Sequence, residues 1–176
     1  MPRRKHKNYS RPKRLYDAAR IQEENVLIKK YGLKNKREIW KADSAIEMMR
    51  KQAKLLLTKS KAEQDKFIDR LKKQGFVVAS IADVLALDKE DHLKRRLQSI
   101  VVEKKIATTP LQARQFITHK SISIDGKKIN VPSYLVPVEE EDKIKLELVK
   151  KIKKEKTEKI NPAAEAVPEE GEKKDE

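Results

Sequence analysis

Thr109, Gln112, Arg114, Gln115, His119 and Lys120 fall within one short stretch, TTPLQARQFITHK (108–120). These are hydroxyl, amide, guanidinium, imidazole and ammonium groups, with no carboxylate among them. Such groups grip anionic oxygen, and Arg does so through a rigid fork of N–H donors that fits phosphate. Nothing in the sequence points to bond-breaking chemistry. His6, His92 and His119 stand far apart, and none shares a helix face with a second ligand type at metal spacing, so no metal site is expected. The chain has no cysteine, which removes thiolate zinc sites, disulfides and cysteine nucleophiles together. Its four glycines form no phosphate-cradling loop, and no serine sits in a nucleophile elbow. Carboxylates are plentiful but alternate with lysines, as on solvated faces. Neither an enzyme nor a cofactor is expected.

The whole chain argues for the same partner chemistry. Lys and Arg number 43 against 28 Asp and Glu, a formal net charge of +15, and an excess of that size argues for a polyanionic partner. It is concentrated toward the start: residues 1–60 hold 18 Lys/Arg and 6 Asp/Glu, whereas residues 155–176 hold 4 against 8. Residues 1–14 carry Arg3, Arg4, Lys5, Lys7, Arg11, Lys13 and Arg14, with Pro2 and Pro12 among them, and too little apolar surface to fold alone. They read either as a solvated tail or as an arm that orders along phosphates, with Tyr9 offering a ring to stack on a base. No apolar run approaches the roughly 18 residues of a membrane span, and none follows the basic start, so neither a membrane segment nor a secretory signal is expected. Residues 150–176 lose all periodicity and read as a disordered charged tail, solvated or screening the basic body from wrong anions.

Elements that must hold the donors follow from periodicity. Residues 17–30 look helical and end near Gly32. In 35–57, Ile39, Ala42, Ile46, Met49, Ala53 and Leu56 recur at spacings of three and four, one apolar stripe of a helix. Ser60 and Glu63 read as a capping box for a helix that buries Phe67, Ile68 and Leu71 and stops at Gly75. Ser80 opens a short helical turn, and Asp88 opens a helix carrying Leu93, Leu97, Ile100 and Val101 on one side. Thr109 and Gln112 form a further capping box, with Pro110 at the first helical position; Ala113, Phe116 and Ile117 face inward. After Lys120 the period changes to two: Ile122 and Ile124, then Ile129 and Val131, flank Asp125-Gly126, a hairpin signal. Ile144, Leu146 and Leu148 alternate in a last extended piece. The expected fold class is α+β: a helical domain at 15–90, a small helix-hairpin module at 91–149, a basic arm at 1–14 and a disordered tail at 150–176.

The run LKRRLQSIVVEKKIATTPLQARQFITHKSISIDGKKINVPSYLV (93–136) resembles the small RNA-binding module named after ribosomal protein S-four. RPKRLYDAARIQEENVLIKKYGLKNKREIWK (11–41) is similar to the archaeal and eukaryotic branch of small-subunit ribosomal protein four. The bacterial branch often carries cysteine zinc ligands near the N-terminus, which this sequence lacks. The resemblance implies a structural constituent of the small ribosomal subunit, cytoplasmic and on the ribosome. It implies early binding to small-subunit ribosomal RNA at a multi-helix junction, nucleation of assembly, contact with ribosomal protein S-five, and a place near messenger RNA that bears on translational accuracy. It implies an RNA face that includes Arg95, Arg96, Thr109, Gln112, Arg114, Gln115, His119 and Lys120, joined by the basic arm and by Lys34, Lys36 and Arg37; Lys127 and Lys128 at the hairpin tip are further candidates. Against this stand local readings. Arg114 could pair with Glu103, His119 could serve its helix C-terminus, and Gln112 its own cap. Two other roles compete: a non-ribosomal RNA-binding accessory or chaperone, and a helical protein–protein adaptor using the 35–57 stripe.

Overall fold

Helix α1 (Ala18–Tyr31) stops where Gly32 turns left-handed, φ 59° and ψ 39°, and its N–H donates back to the Ile28 carbonyl. A computed structural model describes residues 7–147. Arg3, Arg4 and Lys5, and the tail assigned to 150–176, lie outside the described residues. The stripe of 35–57 forms α2 (Lys36–Leu56) and buries Ile39, Ala42, Ile46 and Ala53. Helix α3 (Lys61–Lys73) follows with Ser60 at its N-cap, but the expected cap hydrogen bond from the Ser60 side chain is not made. The chain leaves α3 through Gly75 at φ 82°. Ser80 and Asp83 make a complete capping box for α4 (Ile81–Ala86), and at the start of α5 (Lys89–Lys94) the Asp88 N–H donates to the Asp91 carboxylate at 3.0 Å.

The single helix expected from Asp88 onward is two. Arg96 is extended, φ −76° and ψ 145°, and forms an antiparallel bridge with Leu135 before α6 (Leu97–Glu103) begins. The Leu97 N–H donates to the Tyr134 carbonyl at 2.7 Å and the Val136 N–H to the Arg95 carbonyl at 3.2 Å. The break sorts one sequence stripe into two cores. Leu93 packs with Leu27, Tyr31, Leu33, Ile39 and Ala42, while Leu97, Ile100 and Val101 pack with Ala113, Ile117, Ile122 and Ile124. A third core joins Ile46 and Ala53 to α3 and α4.

Helix α7 (Pro110–Thr118) starts as expected, with Pro110 in its first turn and the Thr109 hydroxyl accepting from the Gln112 N–H at 3.2 Å. The reciprocal half of that capping box is shifted by one residue: Gln112 Oε1 accepts from the Thr108 N–H at 3.0 Å and its hydroxyl at 2.6 Å. Strands β1 (Ile122–Ile124) and β2 (Lys127–Lys128) pair antiparallel around Asp125 and Gly126, whose φ values of 51° and 76° suit a type I′ turn. Beyond Lys128 the alternating Ile129 and Val131 do not extend the strand. After the short α8 (Val138–Glu141), β3 (Ile144–Leu146) pairs with the other edge of β1, giving the order β2-β1-β3. Ser123 is buried rather than outward, its hydroxyl donating to Glu147 at 2.7 Å. The fold is α+β, mostly helical with one small antiparallel sheet.

Phe116, read as core from its spacing, is half-buried, whereas Ile117 is fully enclosed. Ile117→Ala is therefore expected to cost about 3–4 kcal/mol through a cavity, and Phe116→Ala only about 1–2 kcal/mol, for partial burial. Urea unfolding of the two variants checks the order; equal losses would contradict this packing of α7.

Candidate nucleic-acid interface

Where α1 ends, α2 begins and α7 starts, two side chains tie three elements together. Gln98 is buried, and its amide nitrogen donates toward the carbonyls of Tyr31 at 3.1 Å, Gly32 at 3.0 Å and Pro110 at 2.8 Å. Two of these acceptors lie at the buried C-terminal end of α1, where carbonyls have no helical donor. Glu38, in the first turn of α2, accepts from Arg96 and from Arg114. The Arg114 fork reaches Glu38 at 2.9 and 3.4 Å and Gln98 Oε1 at 3.2 Å. Burial opposes ionisation of Glu38, but the hydrogen bonds from Arg114 and Arg96 and their charges outweigh it and hold the carboxyl below its ordinary value.

Glu38, Arg96 and Arg114 line an open cleft of about 340 Å³ together with Asn35, Arg37, Lys41, His92 and Ser133. Burial and the neighbouring Arg96 push the His92 imidazole down to about 4, so it is neutral near pH 7. Four cations against one carboxylate leave the cleft strongly positive. Among the described residues, Arg37 and Lys41 are exposed and form no ion pair, one helical turn apart on α2. Gln115, His119 and Lys120 are exposed on and just after α7. The arrangement offers N–H donors and positive charge on two adjoining faces, α2 and α7, as an anionic backbone requires.

Several residues expected on the RNA face are committed inside the protein. Arg96 is 4% exposed and bound to Glu38. Arg95 donates to the Gln74 carbonyl at 3.1 Å and the Val136 carbonyl at 2.7 Å and pairs with Glu141. Both guanidiniums are thus occupied by acceptors of the protein's own fold, which leaves a ligand fewer donors than the expected RNA face assumes. Lys36 is engaged as well, its ammonium 3.2 Å from the buried Glu24. Arg114 pairs with Glu38 and not with Glu103, yet it still lines the cleft. Thr109 and Gln112 serve the α7 start, and His119 is the helix C-cap while remaining exposed.

In the arm, Lys7, Arg11, Lys13 and Arg14 are exposed. Tyr9 packs on Trp40 with ring centroids 6.1 Å apart, so its ring is turned inward rather than left for a base. Trp40 in turn donates its indole N–H to Glu24 at 3.0 Å. Lys34, Lys127 and Lys128 are exposed, the last 3.8 Å from Glu147. Sequence reasoning missed Glu38, Lys41 and His92. For Lys41 a signal existed, since it follows Arg37 at helical i,i+4 spacing; for the other two the partners are distant in sequence.

Comparison with known proteins places the chain in a family. The S4 domain family matches residues 95–142, from the helix break through α8. Small ribosomal subunit protein uS4 of Methanococcus aeolicus is 45% identical over 150 residues, covering 81% of this chain and 85% of the relative. The protein of the same name from Methanosphaera stadtmanae is 42% identical over 149 residues, covering 81% and 82%. That from Thermoplasma volcanium is 40% identical over 152 residues, covering 81% and 76%. With likeness at that level running through both the N-terminal helices and the helix-hairpin module, the chain belongs to the small ribosomal subunit protein uS4 family.

Proposed function

We propose that the protein is a non-catalytic component of the small ribosomal subunit that binds small-subunit ribosomal RNA, and that it acts in the cytoplasm on the ribosome. The observation that carries this reading is the positive cleft between α2 and α7, with Arg37, Lys41 and Arg114 on its walls and Gln115, His119 and Lys120 beside it. A rigid surface of that kind suits a folded RNA junction, where phosphates from separate strands converge on one protein face. The family membership extends the proposal to early binding and nucleation of assembly, to ribosomal protein S-five as a neighbour, and to messenger RNA and translational accuracy. The adaptor reading loses its surface, because Ile39, Ala42, Ile46 and Ala53 of the 35–57 stripe are core.

Binding of full-length protein to transcribed small-subunit ribosomal RNA is expected to weaken linearly in log K against log salt. The slope should be on the order of −3 to −5, for several phosphate contacts. A slope near zero would contradict the proposal. Sedimentation separates the accessory or chaperone alternative: a subunit component travels with small subunits at low salt, and a free accessory stays at the top of the gradient.

A further inference from the structure

Glu38 is the one acid among the residues lining the cleft, against Arg37, Lys41, Arg96 and Arg114. In an anion-binding surface a carboxylate is an electrostatic liability, since it repels the ligand. Here it is placed where that liability has a use. Arg114 carries five N–H donors in one plane; Glu38 and Gln98 take contacts at both Nη atoms, and the side chain is still 21% exposed. Nε–H and one Nη2 hydrogen take no part in these contacts, and the side chain lines the cleft; a guanidinium anchored on one edge cannot rotate away, so those two donors have little freedom left to lose on binding. Glu38 also belongs to α2, whereas Arg114 belongs to α7 and Arg96 to the break before α6. The same carboxylate therefore fixes the spacing between the Arg37–Lys41 wall and the α7 wall.

Resting on the RNA-binding reading, we propose that Glu38 is a positioning residue of the interface: it occupies one edge of the Arg114 guanidinium and so holds the other, Nε–H with one Nη2 hydrogen, to receive a phosphodiester between the α2 and α7 walls. The proposal reverses the sign that charge alone gives. Glu38→Gln keeps the shape and raises the net charge by one, so simple electrostatics makes RNA binding tighter and its salt dependence steeper. Positioning makes binding weaker, by roughly three- to tenfold, for one long side chain that must be ordered anew.

The test uses full-length protein and transcribed small-subunit ribosomal RNA at two potassium chloride concentrations. Glu38→Gln, Arg114→Lys, the double variant and Glu90→Gln are compared, the last removing a carboxylate that pairs with Lys30 outside the cleft. Expected are losses of similar size in Glu38→Gln and Arg114→Lys, little further loss in the double variant because both act on one fork, and unchanged or tighter binding in Glu90→Gln. Glu38→Gln that binds as well as or better than wild type overturns the inference, as does a double variant whose loss is the product of the singles. Should Glu38→Gln be unfolded at the assay temperature, Arg114→Lys decides alone: it keeps the charge and loses the fork, so undiminished binding overturns the inference. Wild-type protein without salt-dependent binding would instead overturn the RNA reading itself, and this inference with it.

Discussion

Glu38→Ala lowers the free energy of unfolding by about 3–5 kcal/mol, the range for removing one partner of a buried ion pair. The argument rests on what is left behind. Arg96 has a side chain 5% exposed, and its Nε already lacks a hydrogen-bond partner. Without Glu38 its charge has no counterion, and Arg114 lies beside it with the same sign. A lysine–glutamate pair on the open face of α2, Lys51 with Glu47, gives the contrast; Glu47→Ala should leave unfolding unchanged, because exposed pairs are screened and mobile. The effect of Glu38 also has a pH signature. Its carboxyl sits below the ordinary value of 4.5 in the folded protein, so the unfolded chain takes up the proton first as pH falls. The stabilisation is complete above the ordinary carboxylate range and is lost progressively as pH drops through it. Urea unfolding at neutral and acid pH checks both parts; a loss in Glu38→Ala that does not shrink toward acid would show that the charge is not the cause.

Gly32→Ala is expected to cost about 2–4 kcal/mol, combining left-handed backbone strain with overpacking. Gly32 sits at φ 59°, and an added Cβ would lie 2.8 Å from Pro110 Cβ and 3.0 Å from the Pro110 backbone carbon and from Gln98 Nε2. Two of these neighbours cannot swing aside: one is the ring of a proline in the first turn of α7, the other its backbone. The third is the buried amide that ties α1, α6 and α7 together. Gly126→Ala isolates the backbone part of the cost. It has φ 76° but nothing within 4 Å of an added Cβ, so it should lose only about 1 kcal/mol for strain. Similar losses at Gly32 and Gly126, measured by thermal or urea unfolding, would mean that α1 does not close on the start of α7.

What could be read in the sequence was what depends on near neighbours. The stop at Gly32, the α2 stripe, the Thr109-Pro110 helix start and the Asp125-Gly126 turn are each set by a few residues, and each formed where expected. The break at Arg95–Arg96 was hidden, because its cause is pairing with residues 134–136, far along the chain; periodicity alone ran one stripe through it. The same limit governed the site. Residue types identified a cationic surface, but which cations are free depends on where the carboxylates arrive. Glu38 is 58 residues from Arg96 and 76 from Arg114, and no local pattern announces a pairing over that distance. So the ion pairs that occupy Arg95 and Arg96 are not legible from local sequence, and neither is the place of Lys41 and His92 in the cleft.

Leu93 closes the apolar cluster around Leu27, Tyr31, Ile39 and Ala42, and Tyr31 meets its partner Glu90, 59 positions further along the chain. During synthesis the first two helices thus emerge well before the residue that completes their packing. The end of α2 precedes Leu93 by 37 residues, so at about 5–20 residues per second that interval is roughly 2–7 s, through which the nascent chain carries an uncovered aliphatic seam.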